Sequence, residues 1–383
     1  MPELSLVPEQ QSPAAVTPPP GAGTGKPLSV TALRKTYGGV TAVDEVSMDI
    51  AAGEFVTFLG SSGSGKTTTL MMIAGFVEPD SGTITVGERE VTRLAPQKRG
   101  LGFVFQQYLL FPHMTVGENI AFPLQLRGIP KAEIRRRVGE TLEMAGLSGL
   151  ARRRPRELSG GQQQRVALCR ALVYRPPVIL MDEPLGALDK KLRDQLQTEI
   201  KRIQRELGLT VIYVTHDQEE ALVLSDRIAV MRDGRIDQFD TPRELFERPR
   251  TPFVADFLGA ANFLPGRLEE STADNGAHSL VRLDTGGLLR TRPHSLPQGN
   301  RVRAAVQPGR LGLCPPGDGF CTGTVETVTY VGTLVRVTVR ADGGDRHMVR
   351  LELPAGRAPA EGDKAGLTAD PADVSVFDAE DGG

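Results

Sequence analysis

No stretch of the sequence approaches the about 18–20 consecutive apolar residues that a bilayer-spanning helix needs. If the chain works at a membrane, another chain must span it. The N-terminus carries polar and proline residues where a secretion signal would carry an apolar core. Cysteine is scarce: Cys169, Cys314 and Cys321 cannot all pair and match no metal-ligand spacing. That excludes a disulfide framework and makes a reducing compartment, the cytoplasm, the expectation. Neither sign of charge dominates, with 45 Lys and Arg against 47 Asp and Glu. The Arg-rich runs at 135–137 and 152–154 are short and sit beside carboxylates, so the basic stripe of a nucleic-acid binder is missing.

What remains is a chain of 383 residues, long enough at about 150 residues per domain for two or three domains with sizeable cores. Residues 1–28, rich in Pro, Gly, Ser and Ala, cannot bury enough apolar surface to offset their ordering entropy and read as a disordered tail. The tail holds a decoy, GAGTGKP at 21–27, in which Pro27 replaces the hydroxyl residue of a phosphate loop and no strand precedes. From about residue 29, short apolar runs alternate with helical stretches, the mark of an α/β domain with a largely parallel sheet. FVTFL at 55–59, LGFVF at 101–105, VILMD at 178–182 and TVIYVT at 210–215 lack alternation, as strands buried on both faces do. Each delivers a polar residue or glycine to the carboxyl edge of the sheet, where ligands bind in this architecture. Residues 117–157 read as amphipathic helix, too long for a plain crossover, within a helical subdomain of about 107–160. After residue 262 alternation appears in VRVTV at 335–339, with hairpin signals at Gly286-Gly287 and Gly343-Gly344, so 263–383 reads as a small β domain.

Three motifs carry chemistry. GSSGSGKTT at 60–68 lies between a strand and a helix whose Leu70, Ile73 and Ala74 share a face, which is the context a phosphate loop requires. Gly60, Gly63 and Gly65 let the backbone turn so that the N–H groups of Ser61, Ser62, Ser64 and their neighbours face phosphate oxygens at a helix N-terminus. Lys66 would hold the β- and γ-phosphates and Thr67, followed by Thr68, would ligate Mg²⁺. VILMDEP at 178–184 puts two acids at a strand tip: Asp182 suits the Mg²⁺ hydration shell and Glu183 suits polarising an attacking water. In LSGGQQQR at 158–165, Ser159 and Gln162 form a capping box, and Gly160 and Gly161 leave the helix start open to an anion. A merely well-capped structural helix is the alternative.

The order of these segments over about 29–262 resembles the ATP-binding cassette of ABC transporters, whose signature is LSGGQ. The resemblance implies a P-loop NTPase fold, ATP and Mg²⁺ as ligands, and a head-to-tail homodimer. In it each ATP lies between the phosphate loop of one subunit and Ser159, Gly160 and Gly161 of the other. By the same resemblance Tyr37 stacks on adenine, Gln106 senses Mg²⁺ and water, Asp189 in GALD lies across the dimer seam, and His216 contacts the γ-phosphate. Read as residues alone, these could be a core aromatic, a strand cap, a helix N-cap and a buried histidine. Ser61 stands where the family often has another residue, but only its N–H is needed. YVGTLVRVTV at 330–339 is similar to the small OB-like TOBE domain of importer ATPases, although QPGR at 307–310 replaces their usual Arg-Pro-Glu stretch. GALDKKLRDQLQTEI at 186–200 and FLGAANFLPG at 257–266 look most like the polyamine branch, with ferric-iron, phosphonate, opine, sulfate and sugar importers as the alternatives.

The resemblance further implies two transmembrane permease subunits, an extracytoplasmic solute-binding protein, no nucleic acid, and a peripheral place on the cytoplasmic face of the inner membrane. YLLFPHM at 108–114, next to Gln106, reads either as internal packing or as the groove that receives a helix of the permease. Two other classes compete with transport. A nucleic-acid or ribosome-associated ATPase would carry two cassettes and basic insertions, and a soluble phosphotransferase would lack LSGGQ.

Overall fold

Four short apolar runs become strands of one buried sheet. A computed structural model of the chain describes residues 25–186, 188–270, 278–343 and 347–380. In it Phe55–Leu59 pairs in parallel with Thr210–Thr215 on one side and Arg227–Arg232 on the other. Val178–Asp182 and Gly102–Val104 extend the parallel sheet past Thr210–Thr215, and Arg235–Asp240 closes the opposite edge antiparallel. Every residue of Phe55–Leu59, Val178–Asp182 and Thr210–Thr215 is buried, the reason these runs do not alternate. Only three residues of LGFVF are extended, because this strand is at the edge of the sheet.

The helix Lys66–Ala74 lies between this sheet and a second, antiparallel one of Val40–Ile50, Leu28–Tyr37, Ser81–Val86 and Arg89–Glu90. Leu70, Met72 and Ile73 meet Leu28, Val30 and Ile50 from the small sheet and Phe58, Leu180 and Ile212 from the large one. This packing changes the reading of the tail. Residues 1–24 lie outside the described residues, but 25–28 belong to the domain: Gly25 N donates to Gly208 O (3.1 Å), Lys26 N to Pro177 O (3.1 Å), and Leu28 is fully buried. Backbone pairing at the amino ends of two adjacent strands, Val178–Asp182 and Thr210–Thr215, compensates the ordering entropy that composition alone counts against them.

The helical subdomain is not one long helix. Val116–Leu126 is capped by a Thr115/Glu118 box, and Lys131–Met144 follows after Gly128 (φ 68°) and Pro130 interrupt. Gly146, at positive φ, follows the end of the second helix, and after a further turn at Gly149 a single 3₁₀ turn Pro155–Glu157 leads to Gly160–Leu172. Val116, Ile120, Leu124, Val138, Leu142 and Val166 form the core of this layer.

Beyond residue 261 the chain builds two five-stranded antiparallel sheets around a core of its own, including Leu268, Val281, Val302, Val337, Leu351 and Leu367. Val335, Val337 and Val339 are buried and their neighbours are not, as the alternation requires. Gly286 turns the hairpin between Ser279–Leu283 and Leu288–Thr291 at φ 90°. Among the described residues no helix is long and apolar enough to cross a membrane. All three cysteines are free, and burial pushes the Cys169 thiol up to about 12.

Candidate nucleotide site

The loop Gly60–Gly65 wraps around the ammonium of Lys66. Lys66 Nζ donates to Gly60 O (2.8 Å), Ser61 O (2.7 Å) and Ser64 Oγ (3.3 Å). The side chain is only 6% exposed. Burial lowers its pKa, against the attraction of Glu183 and Asp182. Gly63 and Gly65 occupy φ 81° and 97°, the left-handed region that an L side chain resists. A Cβ on Gly65 would also sit 2.6 Å from Ala42 O, so glycine is required there twice over. Ser61 and Ser62 are exposed while Ser64 is buried, its carbonyl accepting from Gly234 N at 3.2 Å. The helix starts at Lys66 and aims the free N–H groups of its first turn into the loop.

Parallel strand order brings the acids to the same edge. Thr67 Oγ1 donates to Asp182 Oδ1 at 3.2 Å across 115 residues of sequence. Asp182 is buried, and burial raises its pKa against the Thr67 hydrogen bond, with Glu183 adding to the rise. Among the described residues no three His, Cys, Asp or Glu cluster as metal ligands. A hydroxyl and one carboxylate are nevertheless the hard oxygen donors with which Mg²⁺ is held alongside water and phosphate. The donor set therefore fits Mg²⁺.

Glu183 takes φ 41° as the chain leaves the strand, and its N–H donates to Val214 O (3.0 Å). Gln106 Nε2 reaches its Oε2 and His216 Nδ1 its Oε1, each at 3.2 Å. Four residues named in the sequence thus meet: Asp182, Glu183, Gln106 and His216. Both contacts to Glu183 are at the long end for hydrogen bonds, and its side chain is partly exposed, so the carboxylate is reachable by water. The His216 side chain is 64% exposed and Tyr37 49% exposed, which excludes a buried histidine and a core aromatic at these positions. Thr68 lies on the first turn of the helix, half-buried.

Ser159 is the N-cap expected of it: its Oγ accepts from Gln162 N (3.3 Å) and its N–H donates to Gln162 Oε1 (3.1 Å). Ser159 and Gly160 are exposed, whereas Gly161 is packed so close to Leu192 that a Cβ would lie 2.9 Å from its methyls. Asp189 caps the helix Lys190–Leu207 by accepting from Leu192 N (2.9 Å). Within one chain it makes no bond to the phosphate loop; it is on the exposed rim near Gly160 through Leu188. The run YLLFPHM divides. Leu110, partly buried, packs against both neighbouring cores, Phe111 meets Phe122 in a tilted contact at 4.7 Å, and Leu109 turns outward, 52% exposed. Phe76, 50% exposed, joins Phe103 and Phe105 in an aromatic cluster that ends next to Gln106 in the chain.

Sequence reasoning missed the supports behind these groups. Glu220, buried, accepts from Tyr213 Oη and Thr215 Oγ1, both at 2.8 Å. Arg193 joins Asp217 (2.7 Å), the residue after His216, and the Leu188 carbonyl (3.2 Å), just before Asp189. In sequence Glu220 reads as one more surface acid of a QEE helix start, and only the sheet shows that it faces inward.

The comparisons agree with this architecture. Residues 43–186 match the ABC transporter family and 304–377 the TOBE domain. The chain is 50% identical over 330 residues, 84% of its length and 86% of the relative's, to a spermidine/putrescine import ATP-binding protein of Rubrobacter xylanophilus. It is 44% identical over 86% of its length, and 93% of the relative's, to an Fe(3+) ions import ATP-binding protein of Agrobacterium fabrum. Among solved structures, a dimeric ATP-binding cassette in a post-hydrolysis state bound to ADP and Pi matches 56% of this chain and 99% of its own (TM-score 0.51, 36% identity). The cbiO1 protein of Clostridium perfringens, part of an ABC transporter complex, matches 58% and 90% (TM-score 0.54, 31% identity). The chain belongs to the ABC transporter family, as an import ATP-binding subunit with a C-terminal TOBE domain.

Proposed function

We propose that this chain hydrolyses ATP to drive a membrane importer of polyamines, spermidine or putrescine. The observation that carries the ATPase reading is the meeting of Lys66, Thr67, Asp182, Glu183, Gln106 and His216 at one sheet edge. In this reading the loop 60–68 and Lys66 bind the phosphates, and Tyr37 stacks on adenine. Thr67, Asp182 and Gln106 would hold Mg²⁺, which when bound would neutralise phosphate charge. Glu183 orients the attacking water and takes its proton, while Gln106 and His216 keep that carboxylate and the water in register and His216 donates toward the γ-phosphate.

Ser159, Gly160, Gly161, Gln162 and Asp189 complete the site from the opposite subunit of a head-to-tail homodimer. The exposure of Ser159, Gly160 and Asp189 in one chain supports this, since it leaves the start of the helix open to an anion. The dimer serves two permease subunits at the cytoplasmic face of the inner membrane, with a solute-binding protein outside. Phe76 and Leu109 are the exposed apolar groups beside Gln106 on which a permease helix would rest. The polyamine cargo is supported by relatives so named at 46–50% identity, and the ferric-iron reading by others at 44–45%.

The test is ATP turnover and uptake in proteoliposomes containing the chain with its permease subunits and solute receptor. Stimulation by labelled spermidine or putrescine, lost with Leu109→Asp, is the expected result. Uptake of ferric iron alone would reassign the cargo. Stimulation by nucleic acid or a phosphate acceptor, and by no permease, would overturn the transport role.

A further inference from the structure

The loop that follows Gln106 is bent against its own backbone preference. Tyr108 and Leu109 are consecutive non-glycine residues at φ 55° and 43°, with Leu109 N donating back to Gln107 O. Left-handed backbone is unfavourable for L-residues, and two in a row persist only where surroundings enforce them. Tyr108 adds a second cost, a buried hydroxyl with no hydrogen-bond partner among the described residues.

One side chain enforces the turn. Arg170 Nη1 donates to Leu109 O (2.8 Å) and Nη2 to Tyr108 O (3.0 Å), so a single planar fork takes both carbonyls of the strained pair. Its guanidinium also lies 5.4 Å from the Phe111 ring centroid. Arg170 is half-buried and, among the described residues, has no carboxylate within ion-pair distance. The charge is therefore spent on this loop and not on a structural salt bridge. Arg170 sits in the last turn of Gly160–Leu172, the helix whose first turn is capped by Ser159, about 16 Å away along the axis. The loop it grips begins at Gln106, 3.2 Å from Glu183.

We propose that Arg170 is a positioning residue that holds the Tyr108–Leu109 turn, sets Gln106 against Glu183, and ties that arrangement to the helix that starts at Ser159. Engagement of Ser159 by the opposite subunit and presentation of Gln106 then become one rigid-body event. The inference rests on the roles proposed above for Gln106, Glu183 and Ser159.

A double-mutant cycle on the full chain tests it, with Arg170→Met, Gln106→Ala and both together. Met keeps the apolar stem and removes both donors. The readouts are kcat and KM for Mg-ATP and the affinity for a fluorescent ATP analogue. Arg170→Met should lower kcat about tenfold with ATP affinity within about threefold, and the double variant should be no slower than Gln106→Ala alone. Arg170→Lys, which can reach one carbonyl at a time, should recover part of the loss; it replaces Met in the cycle if the Met variant does not fold. An unchanged kcat in both Arg170 variants, or losses that multiply fully in the double variant, would overturn the proposal. If Gln106→Ala alone leaves kcat unchanged, the role of Gln106 falls and the inference with it; a Gln106→Ala loss with full additivity removes the inference alone.

Discussion

Glu183 differs from its neighbour Asp182 by one position and by its surroundings: Asp182 is buried against Thr67, and Glu183 faces Gln106 and His216 at the rim. Gln at 183 keeps the size and most hydrogen bonds but neither accepts a proton nor polarises water well. Glu183→Gln should cost about 10²–10⁴ in turnover while leaving ATP binding intact, because Lys66, Thr67 and Asp182 are untouched. Light scattering with Mg-ATP should then detect a trapped dimer; parent-rate hydrolysis would remove Glu183 from the mechanism. Asp182 predicts a stability effect of definite sign. Burial raises its pKa in the folded chain above the unfolded value of about 3.9, so its charge destabilises the fold above the folded pKa. Asp182→Asn should raise Tm at neutral pH, about 2–4 °C per kcal/mol relieved, with the gain vanishing as pH falls below about 4. A Tm gain that is the same at pH 3.5 and pH 7.5 would contradict that account.

At the scale of the element, the phosphate-loop helix needs its far end satisfied as well as its near one. Arg99, buried, donates to Met72 O (2.7 Å) and Ile73 O (2.8 Å) at the helix C-terminus, and to Thr92 O (2.7 Å) and Leu94 O (2.8 Å). The cation also sits at the negative end of the helix dipole. Met72 O keeps Gly75 N (3.1 Å), but Arg99→Met strips the side-chain donor from the Ile73, Thr92 and Leu94 carbonyls, at about 1–3 kcal/mol for a buried group left unsatisfied. A loss of about 3 kcal/mol or more in urea unfolding is expected, with weakened nucleotide binding because the helix end frays. A change of less than about 1 kcal/mol would mean that water replaces the guanidinium there.

For the whole molecule, the β domain meets the cassette through few groups. Gln307 Nε2 donates to Phe246 O (3.1 Å), Arg292 donates to Glu247 O (2.5 Å), and Ala255, Ala261, Ala305 and Phe377 form a small shared cluster. The core around Val302, Val337 and Leu367 has none of its members in the cassette. Deleting residues 262–383 should therefore leave a folded cassette with ATP affinity within about threefold, while altering the stability of its ATP-bound dimer. A soluble, folded truncation unable to bind nucleotide would show that the two parts do not divide the work this way.

What the sequence determined by itself is what depends on neighbours in the chain. Glycine spacing with Lys66 and Thr67, the Ser159/Gln162 box, the unbroken apolar strands and the alternation of 335–339 each act within about ten residues, so residue order alone states them. Tertiary structure decided the rest, because those contacts join distant segments. Residues 25–28 are ordered by partners near 177 and 208, the stretch 117–157 breaks at its glycines into separate helices, and Leu110 faces inward while Leu109 faces out. The buried Glu220, the brace Arg193 and the clamp Arg170 carry no local pattern at all. Their meaning comes from which strand lies beside which, and strand order is set by burial of the whole sheet and not by any stretch of it.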